Sequence, residues 1–306
     1  MRTLAATTLT TLALTSLVAC GNGNETAADL GCGDGPEVEV TETGSEPLKE
    51  LKLSPQQGDS IALDTEMDMS MSIRADGSTV PTGSIPTMTL GMAATVESVS
   101  DDEIEMSFDY DKVSVDGDDP TIERKLQTLV GTSGTITTDA NGVYLDGDVQ
   151  PAAGLDNDMQ NVLVQVEEQF ANLTAPLPGE AVGVGAEWEV TSPIELNGLE
   201  ACNTYTYTLS ELDGSEYALD IEIDQEMASG TVEQAGAEAK LIEGSTTGTG
   251  STRGDLSMPL ALTGTNEVDS STSMEVEQGD DTQEIETDVG MKMTVTTRES
   301  STGSES

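Results

Sequence analysis

The chain has 306 residues, of which 58 are Asp or Glu, 11 are Lys or Arg and none is His, for a formal net charge of −47. A surface this acidic repels nucleic-acid phosphates and anionic lipid headgroups, which argues against DNA, RNA or charge-driven membrane binding. The absence of histidine removes Ser-His-Asp and Cys-His catalysis and any His-ligated zinc site, while an apolar content of 35% is enough for a sizeable core.

The first twenty residues, MRTLAATTLTTLALTSLVAC, carry one positive charge at Arg2, followed by an uncharged run from Thr3 to Ala19. That run is short for a membrane span and suits a secretory signal peptide over residues 1–19. The stretch after it, GNGNETAADLGCGDGPEVEVTETGSEP, is rich in Gly, Asn, Thr and Glu, and is expected to be a flexible tether over residues 20–46. Cys32 lies in this tether, and Cys202 lies in a predicted strand, LEACNTYTY. Outside the cytoplasm such a pair tends to form a disulfide. Closing so long a loop adds roughly 4–5 kcal/mol in the chain-entropy model. The alternative is two free thiols or an intermolecular link.

Residues 47–298 read as one antiparallel β domain. LKELKL at 48–53 is short and amphipathic. The next strand places Ile61, Leu63, Thr65, Met67, Met69, Met71 and Ile73 on one face, with acidic and small residues between them. A second runs from Met88 to Val99. A third, EIEMSFDYDKVSV, aligns Ile104, Met106, Phe108 and Tyr110 against acids on its other face, the pattern of a sheet with one wet side. A helix is predicted near 120–130, with Asp119 as N-cap, Pro120 at the first turn, and Ile122, Leu126 and Leu129 facing inward. Asn141-Gly142 marks a hairpin. A second helix is predicted over 156–173, where Met159, Leu163, Val166, Phe170 and Leu173 form one stripe.

An internal similarity follows. TVESVSDDEIEMSFDYD (95–111) aligns without a gap on TLSELDGSEYALDIEID (208–224), and GDSIALD (58–64) is echoed by GAEWEVT (185–191), with Ile61 matched by Trp188. The turn falls at the same place in both, which implies two similar meander-like halves. Further strands are AEAKLIEG, GDLSMPLALTGTNEV, STSMEVEQ and TQEIETDVGMKMTVTTR. The Gly- and Thr-rich stretch at 247–250 and beyond reads as a loop, and residues 299–306 as a disordered tail. The fold class is thus mainly β (α+β): a curved antiparallel sheet or half-barrel with two helices packed on it.

Acidic turns such as DYDKVSVDGDDP and DANGVYLDGD do not match EF-hand spacing, and Asp, Asn and Gly are the residues that turns favour. Neighbouring carboxylates such as Asp101/Asp102 and Glu167/Glu168 are expected by chance among 58 acids. No catalytic residue, metal ligand or cofactor is assigned. The candidate binding feature is an apolar cavity bordered by Met67, Met69, Met71, Met106, Phe108, Met291 and Met293, since methionine adapts to variable apolar ligands. With only one Trp, five Tyr and two Phe in the chain, methionine packing in place of aromatic residues is the other reading of the same side chains.

Leu17-Val18-Ala19-Cys20 resembles the lipobox of bacterial lipoproteins. The resemblance implies that Cys20 receives acyl chains, becomes the mature N-terminus, and anchors the protein to the plasma or outer membrane from the extracytoplasmic side of the cell envelope. The body is similar to uncharacterised β-rich secreted lipoproteins in which a Pro-rich VGxxW turn precedes the second meander, carried here by Pro176, Pro178, Val182, Gly183, Gly185 and Trp188. Its architecture also resembles the half-barrel lipid carriers of the Lol and LppX types. Together these imply a non-enzymatic envelope lipoprotein holding a hydrophobic ligand under its sheet, or a structural or protein-interaction lipoprotein with a filled core. They imply no nucleic-acid partner and identify no protein partner.

Overall fold

A computed structural model describes residues 25–33, 35–117, 120–155, 174–196, 198–234, 237–278 and 281–298. Cys20 and the predicted helix over 156–173 lie outside the described residues.

The body is one antiparallel sheet that does not close on itself. Its first wing comprises β1 (Glu37–Glu42), β10 (Glu187–Leu196), β11 (Leu199–Asp213) and β12 (Glu216–Met227). The long centre comprises β14 (Ala237–Asp255), β15 (Thr263–Gln278), β16 (Asp281–Thr297) and β3 (Ser60–Ala75). The second wing comprises β5 (Met88–Val99), β6 (Glu103–Val115), β7 (Ser133–Asp139) and β8 (Tyr144–Gln150). The strands lie side by side in that order, with β13 (Gly230–Gln234) pairing β14 and β4 (Ser78–Val80) pairing β3. A separate two-stranded ladder joins β2 (Lys49–Glu50) to β9 (Ala181–Val182).

The two stretches aligned in the sequence occupy equivalent places. β5–β6 carries a bulge between Val96 and Ser98, and β11–β12 carries one between Leu209 and Glu211, the aligned positions. Ile61 pairs with Ala94 as Trp188 pairs with Tyr207. The strand entrances also match. Gly58 donates to the Val96 carbonyl and Val96 to that of Asp59, both at 2.8 Å; Gly185 donates to Leu209 at 2.7 Å and Leu209 to Ala186 at 2.9 Å. Gly58 and Gly185 both sit at positive φ, 92° and 84°, where a side chain is strained. A bulge bends its strand and increases twist, so each half curls at the same point.

The core lies where the wings and the lower half of the centre curl together. Ile104, Met106 and Phe108 of β6, Ile136 of β7, Trp188 of β10, Leu209 of β11 and Leu219 of β12 are buried in a single cluster. Three connecting segments plug it: Leu51 and Leu53, Ala175 and Leu177, and Leu256, Met258 and Leu260.

Several expectations are corrected. Within the expected tether of 20–46, Glu37–Glu42 is an edge strand whose Val38 and Val40 pair with Val190 and Trp188, because alternating valines can cover the open flank of the core. GDLSMPLALTGTNEV is not one strand: Leu256–Leu262 leaves the sheet as a plug, consistent with Pro259 lacking a ladder donor, and Leu260 bridges to Thr174. The Gly- and Thr-rich stretch belongs to the interior of β14. The first helix, α1 (Pro120–Leu126), continues as a 3₁₀ turn, Gln127–Leu129. In so short an element only Leu126 and Leu129 reach the core, and Ile122 is exposed.

An apolar sheet face as candidate functional site

Directly opposed residues in an antiparallel ladder share a face, so the register defines what lies across the sheet. One row runs Trp188, Tyr207, Ile221, Gly250, Asn266, Met293, Met67 and Met88, from β10 through to β5. The next runs Val190, Tyr205, Ile223, Gly248, Val268, Met291 and Met69. At ~4.8 Å per strand the first row spans roughly 34 Å. It is aromatic at one end, methionine at the other, and has a glycine floor in β14.

The aromatic end is rigid. Trp188 is fully buried, donates through Nε1 to the Pro176 carbonyl at 2.9 Å, and stacks on Tyr207 with ring centroids 5.7 Å apart. Tyr205 continues the stack at 6.2 Å from Tyr207. Burial pushes the Tyr205 hydroxyl up to about 12. Burial also raises Tyr207, with smaller contributions from Tyr205 and Tyr217, and it raises Tyr110 and Tyr217. These phenols stay neutral at any physiological pH.

The glycine floor is shaped by its neighbours. A Cβ on Gly254 would stand 2.3 Å from the Tyr217 ring, one on Gly248 would stand 2.5 Å from Val268 Cγ1, and one on Gly250 would stand 1.9 Å from Asn266 Oδ1. Side chains from both flanking strands therefore lie across β14. Sequence reading missed this feature. The signal present was alternation itself, with Thr247, Thr249 and Ser251 leaving one side of the strand and Gly248 and Gly250 the other.

The methionines divide between two places. Met106 and Phe108 are buried in the core cluster that also holds Trp188, Tyr207 and Ile221 from the aromatic end of those rows. Met67, Met69, Met291 and Met293 sit side by side, Met67 against Met293 and Met69 against Met291, each half-buried. Burial falls steadily along β3, from Leu63 at 2% exposed to Met71 at 40%. Of the seven residues, Met106 and Phe108 are thus more deeply buried than the other five. Five form the open, outer part of a face whose inner part is filled.

The opposite face is polar. Two surface recesses of about 480 and 550 Å³ lie mainly on that side, the first lined by Ser70, Ser72, Ser245, Thr247, Ser271 and Asp288, the second by Ser251, Arg253, Thr265 and Thr294 among others. Cross-strand ion pairs stud it: Arg74 with Glu286 at 2.7 Å and Asp288 at 3.0 Å, Lys112 with Asp64 at 2.7 Å, Arg253 with Glu211 at 2.7 Å, and Arg298 with Asp64 at 3.2 Å and with Asp111. Among the described residues no cluster of acids and cysteines is placed to hold a metal ion.

Cys32 and Cys202 are joined by a disulfide, with Cα atoms 5.7 Å apart. Cys202 faces away from the tyrosine rows, so the segment 25–33 is clasped to the polar side of β11. Ala27 donates to Glu200 at 2.6 Å, Ser229 donates to Glu25 through its amide at 3.1 Å and its hydroxyl at 2.9 Å, and Glu25 donates to the Ser229 carbonyl at 3.0 Å. Within the clasp the Thr26 amide and hydroxyl donate to Asp29 and hold its carboxyl below the ordinary range. No protein-family model matches this chain, and no curated protein matches it by sequence.

Proposed function

We propose that this chain is a non-enzymatic, extracytoplasmic lipoprotein, anchored through acyl chains on Cys20, whose half-barrel-like sheet takes an apolar chain along its methionine face. The observation that carries this reading is the ordered register of Met67, Met69, Met291 and Met293, half-buried on a face continuous with the core. Exposed apolar surface in a contiguous strip marks an interaction surface, and methionine suits ligands of variable shape. The acidic remainder supports solubility near a membrane without adhesion to headgroups.

Native mass spectrometry of protein purified from its own membranes tests it. Co-purifying acyl lipid that is lost in a Met67→Asp/Met291→Asp variant is the expected result. A lipid-free wild type would overturn it. The anchor is tested separately: Cys20→Ser is expected to move the protein into the soluble fraction, and membrane retention would refute acylation.

A second reading has one specific observation in its favour. Trp188, Ile104, Met106, Ile136, Leu209 and Leu219 are all under 2% exposed, a deeply buried core that favours a structural or protein-interaction lipoprotein holding no internal ligand. A lipid-free purification would support it.

A further inference from the structure

Resting on the acyl anchor at Cys20, we infer that the Cys32–Cys202 clasp turns the tether into a short leash that presents the open end of the methionine face to the bilayer.

The argument is one of chain length and strand direction. β3 runs outward from the core, from Ser60 to Ala75, and β11 runs inward, from Leu199 to Asp213. Cys202, paired with Glu226, therefore lies near the outward end. Ser245, Ser271, Asp288 and Ser72 continue that row across the centre. The same end carries Met71 and Val80, both 40% exposed, where the apolar face opens. The clasp and the open end of the face thus share one end of the molecule, on opposite sides of the sheet.

From Cys20 to Glu25, the first clasped residue, is five peptide units, at most about 18 Å fully extended. Were the clasp absent, the first fixed residue would be Glu37 in β1, and seventeen units would reach about 60 Å. With the longer leash the body could turn any side to the membrane, and its charge would favour standing off. With the shorter one, rotation is limited because the opposite end lies the length of β3 away, roughly 50 Å at ~3.3 Å per residue. Disulfide formation, which the extracytoplasmic compartment promotes, therefore sets both distance and orientation. An acyl chain leaving the bilayer meets Met71 first, then Met69 and Met67.

The test uses the acylated full chain in phosphatidylcholine vesicles bearing a rhodamine headgroup acceptor, with a donor dye attached at either Thr79→Cys, beside the open end, or Asp102→Cys, at the far turn. Energy transfer from Thr79 is expected to exceed that from Asp102 several-fold. In a Cys32→Ser/Cys202→Ser background that difference is expected to shrink to less than twofold. Equal transfer from both positions in the disulfide-bonded protein would overturn the orientation, as would a ratio unchanged by removing the disulfide. Protein that does not bind the vesicles would instead sink the acyl anchor, and this inference with it. Circular dichroism of the double variant verifies that the body is still folded.

Discussion

Trp188 is the only tryptophan in the chain, and its place between Tyr207 and the Pro176 carbonyl makes it both a structural pin and a built-in probe. Trp188→Phe keeps most of the apolar bulk and strands a buried carbonyl, which costs about 1–3 kcal/mol. The measurement is the urea midpoint by circular dichroism, and an unchanged midpoint would rule out the role. The tyrosines make a second prediction. Tyr205 is held near 12 from an ordinary 10.0 by burial. A phenol whose folded value is raised binds its proton more tightly in the native state, so its contribution is intact below about pH 10 and is lost as pH climbs above it. Stability is therefore expected to fall between about pH 10 and 12, with unfolding and tyrosinate absorbance rising together. Tyrosinate appearing near pH 10 without loss of structure would contradict it. Much of this scale was legible in the sequence: alternation correctly set Ile104, Met106 and Phe108 apart from Glu105 and Ser107 between them. It did not distinguish a filled from an open position, because Met106 and Met67 have identical local patterns and differ only in what the rest of the chain lays over them.

Among the elements, the paired hairpins were the most readable. The aligned stretches share little identity, yet the bulge recurs at Val96/Ser98 and Leu209/Glu211, and the entering glycine recurs with it. Since neither Gly58 nor Gly185 has another atom within 4 Å of a built Cβ, alanine at either meets only backbone strain, about 1–2 kcal/mol in this region. Similar losses at the two positions are expected, read from thermal or denaturant melts of Gly58→Ala and Gly185→Ala. A loss at one and a gain at the other would show that the halves are not equivalent. The elements that misled the sequence reading were polar on their visible side. EVEVTE resembled a tether because its glutamates outnumber its two inward valines, and the stretch of β14 from Thr247 resembled a loop because Gly248 and Gly250 stand at its inward positions. In both cases half the strand's pattern had to be inferred from partners that sequence does not reveal.

The molecule as a whole is governed by charge. Arg74, Lys112, Arg253 and Arg298 each pair with one or two carboxylates of other strands, but exposed pairs contribute roughly 0–1 kcal/mol apiece. Against them stands a net −47 on one compact body, whose self-repulsion opposes the folded state. Salt screens both, and repulsion is the larger sum. The melting temperature is therefore expected to rise as NaCl increases from about 10 mM to 1 M, across which the Debye length falls from about 30 to 3 Å. A flat or falling curve would show that the ion pairs dominate instead.

Among the described residues the unclosed sheet ends in two strands that pair on one side, and they are unlike: β1, bearing Glu37, Glu39 and Glu42, and β8, bearing Asp146 and Asp148. Backbone groups on a rim of one molecule could dock on the other rim of the next, and a head-to-tail union of that kind extends as a ribbon unless its rotation closes a ring. Mutual repulsion of the rim carboxylates forbids this at neutral pH. A Glu37→Gln/Glu39→Gln/Glu42→Gln variant that also carries Asp146→Asn/Asp148→Asn is expected to turn clear solutions turbid with fibrils that bind thioflavin, while the parent protein at the same concentration stays monomeric by light scattering.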